Sequence, residues 1–243
     1  MFPDNWSNIL HHQVHQYRHL SSDARAKLHG FIQVFVLEKN WEGCGGFELT
    51  DEVKVTISGW VGILVLGRQP EFFDQVLSIL VYPTAYKAPV KTPAGGGVML
   101  EGQSAREGEA WYRGPVILSW NDIKADRLLH REGQNLVLHE FAHQLDMQDG
   151  LQTNGIPILP RSLRQSWIRV MSEAYGEHVK LCEWGQNWLD PYAASNPQEF
   201  FAVLTEAFFE TPFVLHRRAP EVFAQLQAFY RIDPREMTTD GTS

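Results

Sequence analysis

His139-Glu140-Phe141-Ala142-His143 sets two imidazoles four residues apart, with a carboxylate beside the first. On a helix, positions i and i+4 share a face, so both rings point the same way. Two neutral imidazoles at that spacing can grip one zinc ion, Zn2+. Glu140 is then placed to take a proton from a water that the metal polarises. The bare pattern arises by chance often enough to need support from its surroundings. Leu136, Val137 and Leu138 precede it, and Phe141, Ala142 and Leu145 continue the apolar set. Such a helix is expected to be buried, and a metal would satisfy its polar groups together. A solvated surface helix is the plainer alternative, and the apolar flanks argue against it.

A catalytic zinc takes three protein ligands and keeps one position for water, so a third ligand is needed. Asp149 stands where the extended pattern H-E-x-x-H-x-x-G-x-x-H has its last histidine, but Asp146 replaces the glycine of the turn. Asp149-Gly150 also reads as an ordinary turn. Glu199 and Glu206 are the other candidates. They lie seven residues apart on one helix face, among Phe200, Phe201, Val203, Leu204, Phe208 and Phe209. Glu199 stands three residues after Asn196 and also fits a capping box. Glu206 fits a ligand, or an acceptor for the free N–H of a ligand histidine.

The elements that must position these groups follow from periodicity and punctuation. Ser21-Ser22-Asp23 caps a helix to about Asn40, and Thr50-Asp51-Glu52 opens another to about Leu66. Leu77 to Tyr82 reads as a strand, Val98 to Leu100 as a short one, and Val116 to Trp120 as a third, broken by Asn121-Asp122. Ala88 to Gly97 is a Pro/Gly-rich loop, and Val90 to Gly97 within it reads as a surface loop, with a mobile cover as the alternative. The motif helix spans Gly133 to Leu145, and Leu163 to Val179 is helical. Asn196-Pro197 starts a helix that runs to about Glu210 and stops before Pro212. Pro220 to Tyr230 is a last short helix. Val116 to Trp120 is a candidate edge on which an extended peptide could lie.

The blocks from His139 to Met147, Asp190 to Val203 and Thr205 to Phe209 resemble the Mlc titration factor A family of bacterial zinc peptidases. Glu48 to Glu52, Ile79 to Pro83 and Gly114 to Trp120 continue the likeness, which covers roughly residues 20 to 235. The resemblance implies that His139, His143 and Glu199 hold the zinc and that Glu140 is catalytic. It implies that Tyr192 lies near the metal and assists the oxyanion. It implies a gluzincin-like core, related to the catalytic domain of anthrax lethal factor, and aminopeptidase-like action on peptides. The family's name implies a further partner, a sugar-responsive transcriptional repressor, Mlc.

The expected fold class is therefore α+β, a zincin-like metallopeptidase core, mostly helical, with a small mixed sheet whose edge strand borders the active-site helix. Residues 1–20 are expected to be an N-terminal extension, 21–235 one metallopeptidase domain and 236–243 a tail. A regulatory protein-binding module with a vestigial or structural zinc site, or a metallohydrolase of another carbonyl, is the alternative function. Net charge is −8, from 21 basic and 29 acidic residues with no basic block, which disfavours direct nucleic-acid binding. Cys44 and Cys182 are too few for a disulfide scaffold and suit a reducing compartment. Met1 to His19 has no signal-peptide pattern, and Val55 to Leu66 is too short to span a bilayer, so a cytoplasmic protein is expected. His11, His12, His15 and His19 are expected in solvent, and Trp184 and Trp188 in the core rather than the cleft.

Overall fold

In the computed structural model, residues 2–68, 72–84, 108–110, 114–128, 133–148 and 154–238 are described. The chain opens with α1 (Asp4–Gln13) and a 3-10 turn, His15–His19. Helix α2 (Ser22–Glu38) starts where the Ser21 hydroxyl accepts the Ala24 amide, and ends as Lys39 turns extended. Helix α3 (Asp51–Val65) is capped by Thr50 and is buried from Val55 through Val65. Helix α1 can approach it closely because Gly59 has no side chain: a Cβ there would meet Leu10 at 2.7 Å and Val14 at 2.9 Å. The first twenty residues, read as an extension, thus place Leu10 and Val14 in the core with no exposure.

Among the described residues, four strands form one sheet: β1 (Asn40–Gly43), β2 (Ser78–Tyr82), β3 (Gly108–Ala110) and β4 (Val116–Ser119). Their order is β1-β2-β4-β3. β1 and β4 run parallel to β2, and β3 runs antiparallel to β4, so the sheet is mixed and the α+β expectation holds. β4 has a neighbour on each side and is therefore internal. Its two sides are already hydrogen-bonded, so the expectation that Val116 to Trp120 is an edge is corrected: β1 and β3 are the edges. The β3 strand lies against the motif helix. The third strand also ends one residue early. Ser119 Oγ accepts the Asp122 amide at 3.3 Å and launches α4 (Trp120–Leu128), where a break was expected. Val98 to Leu100 and Val90 to Gly97 lie outside the described residues.

The motif helix is α5 (Leu136–Asp146), and α6 (Arg161–Glu183) is longer than its periodicity suggested. A 3-10 turn, Pro191–Ala194, leads into α7 (Pro197–Glu210). Helices α8 (Pro212–Arg218), which was not anticipated, and α9 (Pro220–Tyr230) follow. Proline at the first position of each of the last three suits a residue without an N–H to lose. The turn Pro234–Met237 buries Met237 at 4 % exposure, so packing continues past the expected start of the tail.

Helix α5 packs against both α3 and α7. Its apolar side enters the core, where Phe141 meets Phe73 and Phe35 edge-on at 5.0 and 5.9 Å. Behind α7, Trp167, Phe201 and Phe229 form a second aromatic cluster. Trp188 packs on the core, whereas Trp184 is 66 % exposed, contrary to expectation. His11, His12 and His19 are exposed; His15 stacks edge-on against Trp60 and is only partly in solvent. Among the described residues, no helix is long and apolar enough to cross a membrane.

Candidate metal centre

Helix α5 places His139 and His143 one turn apart with ring centroids 4.9 Å from each other. Helix α7 crosses it and brings up Glu199. Asn196 caps α7 by accepting the Gln198 and Glu199 amides at 3.0 and 2.9 Å, which holds the first helical turn and its glutamate in place. Glu199 Oε2 lies 3.1 Å from His139 Nε2 and 3.2 Å from His143 Nε2, and the two ring nitrogens are 3.2 Å apart. Among the described residues, this is the one cluster of three whose donor atoms could share a metal ion. Asp149 lies outside the described residues.

Glu206 takes a different place. Its Oε1 meets His139 Nδ1 at 2.7 Å, on the far side of the ring from Glu199. A proton on Nδ1 leaves Nε2 as an acceptor. Nε2 then points a lone pair at the Glu199 carboxylate, with His143 Nε2 equally close. Lone pairs converging in this way repel unless a cation sits among them. The residues therefore fit a metal ion, and a proton is the next best occupant. Burial alone would lower the His139 pKa, but Glu206, Glu199 and Glu140 together raise it well above the usual imidazole value. Burial would raise the Glu199 carboxyl, and its contacts with His139 and His143 outweigh that and hold it well below the usual range.

Glu140 is 3 % exposed. Burial pushes its carboxyl up to about 7, against the pull of His139 and His143. Tyr192 sits on the Pro191–Ala194 turn, half exposed, its ring centroid 6.1 Å from that of His139. Asp190 secures that turn, accepting the Tyr192 amide at 2.9 Å and Gln134 Nε2 at 2.7 Å.

Four carboxylates surround the start of α5, and only Glu206 was singled out in the sequence. Glu206 Oε2 accepts the Asn135 amide at 2.5 Å, and Glu210 accepts Asn135 Nδ2 at 2.8 Å. Asp126 accepts the Leu136 amide at 3.1 Å, and Asp190 holds Gln134. The amides at a helix N-terminus carry positive partial charge, which stabilises acids crowded there. Asn135 itself accepts the Leu138 amide at 3.1 Å and so is the cap of the motif helix. An asparagine directly before Leu136 is a readable start signal that places the helix start later than Gly133.

Replacing Glu206 with alanine leaves His139 Nδ1 and the Asn135 amide unpaired. Metal affinity is expected to fall roughly 10- to 100-fold, measured by competition with a chromogenic chelator.

Burial, reinforced by Glu206 and Asp126, pushes the Glu210 carboxyl up to about 8 despite its bond to Asn135. His15 lies 3.6 Å from it, and burial lowers that imidazole to about 4, so it stays neutral above that pH. The folded chain thus keeps the Glu210 proton to about pH 8, while the unfolded chain releases it near the ordinary 4.5. Stability from this group is full below that lower value and is lost as pH rises through the window, by about 1.4 kcal/mol per pH unit. Glu210→Gln mimics the protonated form and is expected to remove that slope. Urea midpoints for both proteins from about pH 5 to 9 check it.

A pocket of about 150 Å³ opens elsewhere, lined by Gly155, Met171, Tyr175, Pro197, Phe200 and Phe201 among others. Pro197 and Phe201 leave α7 on the side away from Glu199, so this pocket is not where a substrate would meet the metal cluster.

Helix-borne histidines and a carboxylate from a crossing helix, backed by a buried glutamate, are the parts of a metallopeptidase centre. The model of the glucose-regulated metallo-peptidase M90 family matches residues 1–231, and the chain belongs to that family. It is 38% identical over 237 residues to an uncharacterized protein of Synechocystis, covering 96% of this chain and 85% of that one. It is also 30% identical over 236 residues to Mlc titration factor A of Salmonella choleraesuis, covering 95% and 87%. The Yersinia enterocolitica protein of the same name is 29% identical over 218 residues, covering 88% and 81%.

Proposed function

We propose that the chain is a zinc-dependent peptidase of aminopeptidase-like action, with His139, His143 and Glu199 holding one Zn2+. The observation that carries this reading is the convergence of two imidazole nitrogens and one carboxylate oxygen, all within 3.2 Å of one another. When bound, zinc supplies Lewis acidity that brings the pKa of water toward neutrality. Glu140 accepts the proton of the attacking water on its carboxylate and later delivers it to the leaving amine. Burial raises this carboxyl above its ordinary range, which favours return of the proton, and general acid–base catalysis works best with a pKa near the working pH. Glu206 keeps the His139 Nε2 lone pair directed at the metal position. The Tyr192 hydroxyl donates to the oxyanion.

The peptide lies along β3, the edge strand beside α5, through added main-chain hydrogen bonds. Two free cysteines suit a cytoplasmic setting. The catalytic domain takes in α1 and the Pro234–Met237 turn as well as residues 21–235, since Leu10, Val14 and Met237 share its core. The shared name of the relatives supports binding to a sugar-responsive repressor of the Mlc type as a further property. A second reading, a repressor-binding module with a structural metal, draws on that same name. The buried Glu140 argues against it, since a structural metal needs no general base.

Metal content measured beside hydrolysis of an aminoacyl-anilide panel tests the proposal. One zinc per chain together with cleavage upholds it. One zinc with no cleavage of any aminoacyl-anilide or peptide gives the lead to the binding module.

A further inference from the structure

The turn around Gly155 touches both of the helices that carry the metal cluster. The Gly155 amide donates to Asp146 Oδ2 at 2.9 Å, and Asp146 lies three residues beyond His143 on α5. The Gly155 carbonyl accepts from Trp167 Nε1 of α6 at 3.2 Å. Gly155 has φ +73°, and a Cβ there would stand 2.4 Å from the Pro197 carbonyl oxygen and 3.0 Å from its carbon. The backbone of the turn therefore rests directly on the first residue of α7, two residues before Glu199. Asp146 is 1 % exposed, and its second oxygen has no protein partner. Burying a carboxylate is costly, and the Gly155, Asn154 and Ile156 amides that face Asp146 offset that desolvation and tie the turn to α5.

We infer that Asp146, Gly155 and Pro197 form a spacer that sets the separation between His139 and His143 on α5 and Glu199 on α7. Asp146 and Gly155 are then positioning residues for a bound divalent cation. The inference rests on the metal-site reading above. Metal–oxygen bonds of about 2.0–2.2 Å leave little room for a displaced carboxylate. Side chains packed between two helices can change rotamer and let them slide, but a backbone seated on a backbone cannot. Any β-carbon at position 155 must push Pro197, and Glu199 moves with it because both belong to one capped helical turn. Loss of the oxygen acceptor at position 146 frees the turn from α5.

The test uses the full chain, stripped with a chelator and titrated with Co2+. Affinity and the visible d–d spectrum are read beside thermal unfolding, for wild type, Gly155→Ala, Asp146→Ala and Asp146→Asn. Gly155→Ala and Asp146→Ala are expected to bind Co2+ roughly 10- to 100-fold more weakly, with altered spectra and cooperative unfolding retained. Asp146→Asn keeps an acceptor for the Gly155 amide and is expected to restore wild-type affinity. Variants that melt earlier yet bind Co2+ as tightly as wild type overturn the spacer. If Gly155→Ala does not fold, the Asp146 pair decides, and equal affinity of the alanine and asparagine variants overturns it. A wild-type chain that takes up no Co2+ overturns the metal-site reading itself, an outcome distinct from any confined to the variants.

Discussion

Glu140→Gln is expected to keep one metal ion per chain and to lower peptide hydrolysis by about 100- to 10,000-fold, the range for a lost general acid–base. Glutamine preserves the shape of the side chain and loses its charge and its ability to exchange a proton. Glu140 is buried at 3 % exposure beside both histidines, so no exposed carboxylate at that position stands ready to replace it. Removing its charge also lightens the acidic field on His139, to which Glu140 contributes after Glu206 and Glu199. Metal content should still change little, because Glu140 is not among the three residues whose donor atoms converge. Zinc by atomic absorption, with kcat and KM on the same preparation, separates the two effects. A variant that keeps its zinc and cleaves as fast as wild type would remove Glu140 from the chemistry.

Glu199→Ala is expected to release the metal and, with it, all measurable hydrolysis. A structural zinc held by four ligands contributes about 10–16 kcal/mol, so one ligand accounts for roughly 2.5–4 kcal/mol, or about a 60- to 1,000-fold loss in affinity. The fold should survive, because Glu199 is only partly buried at the start of α7 and Asn196 caps that helix without it. Dialysis against a metal buffer, circular dichroism and hydrolysis of one peptide together read the three consequences. Full zinc occupancy in this variant would return Asp149 to the ligand set. Glu206 would not return with it, since its carboxylate faces the opposite nitrogen of His139.

Much of the molecule is legible before any folding is considered. The Ser21, Thr50 and Asn196 caps and the prolines at 197 and 220 mark helix starts within a residue of where they fall. Caps and prolines act through hydrogen bonds and backbone angles that span only a few positions. The helix at Trp120 escaped notice because its start signal, Ser119 Oγ, sits at the end of an apolar strand whose pattern hides it. Helix α8 escaped because Pro212 reads as a stop for α7, and it is also the first residue of the next helix.

The pair His139 and His143, with Glu140 between them, was determined by spacing alone, because a helix puts positions four apart on one face whatever surrounds it. Which carboxylate completes the cluster was not. Glu199 and Glu206 lie on one face of α7 and are equally plausible by period, yet one meets Nε2 of His139 and the other Nδ1. Only the crossing of α5 and α7 separates them. That crossing comes from packing between α5 and α7, whose residues lie far apart in the chain with no shared period. The acids around Asn135 and the edge at β3 were decided in the same way. Local rules set the conformation of each segment; distances between segments come from packing, which no short stretch of residues contains.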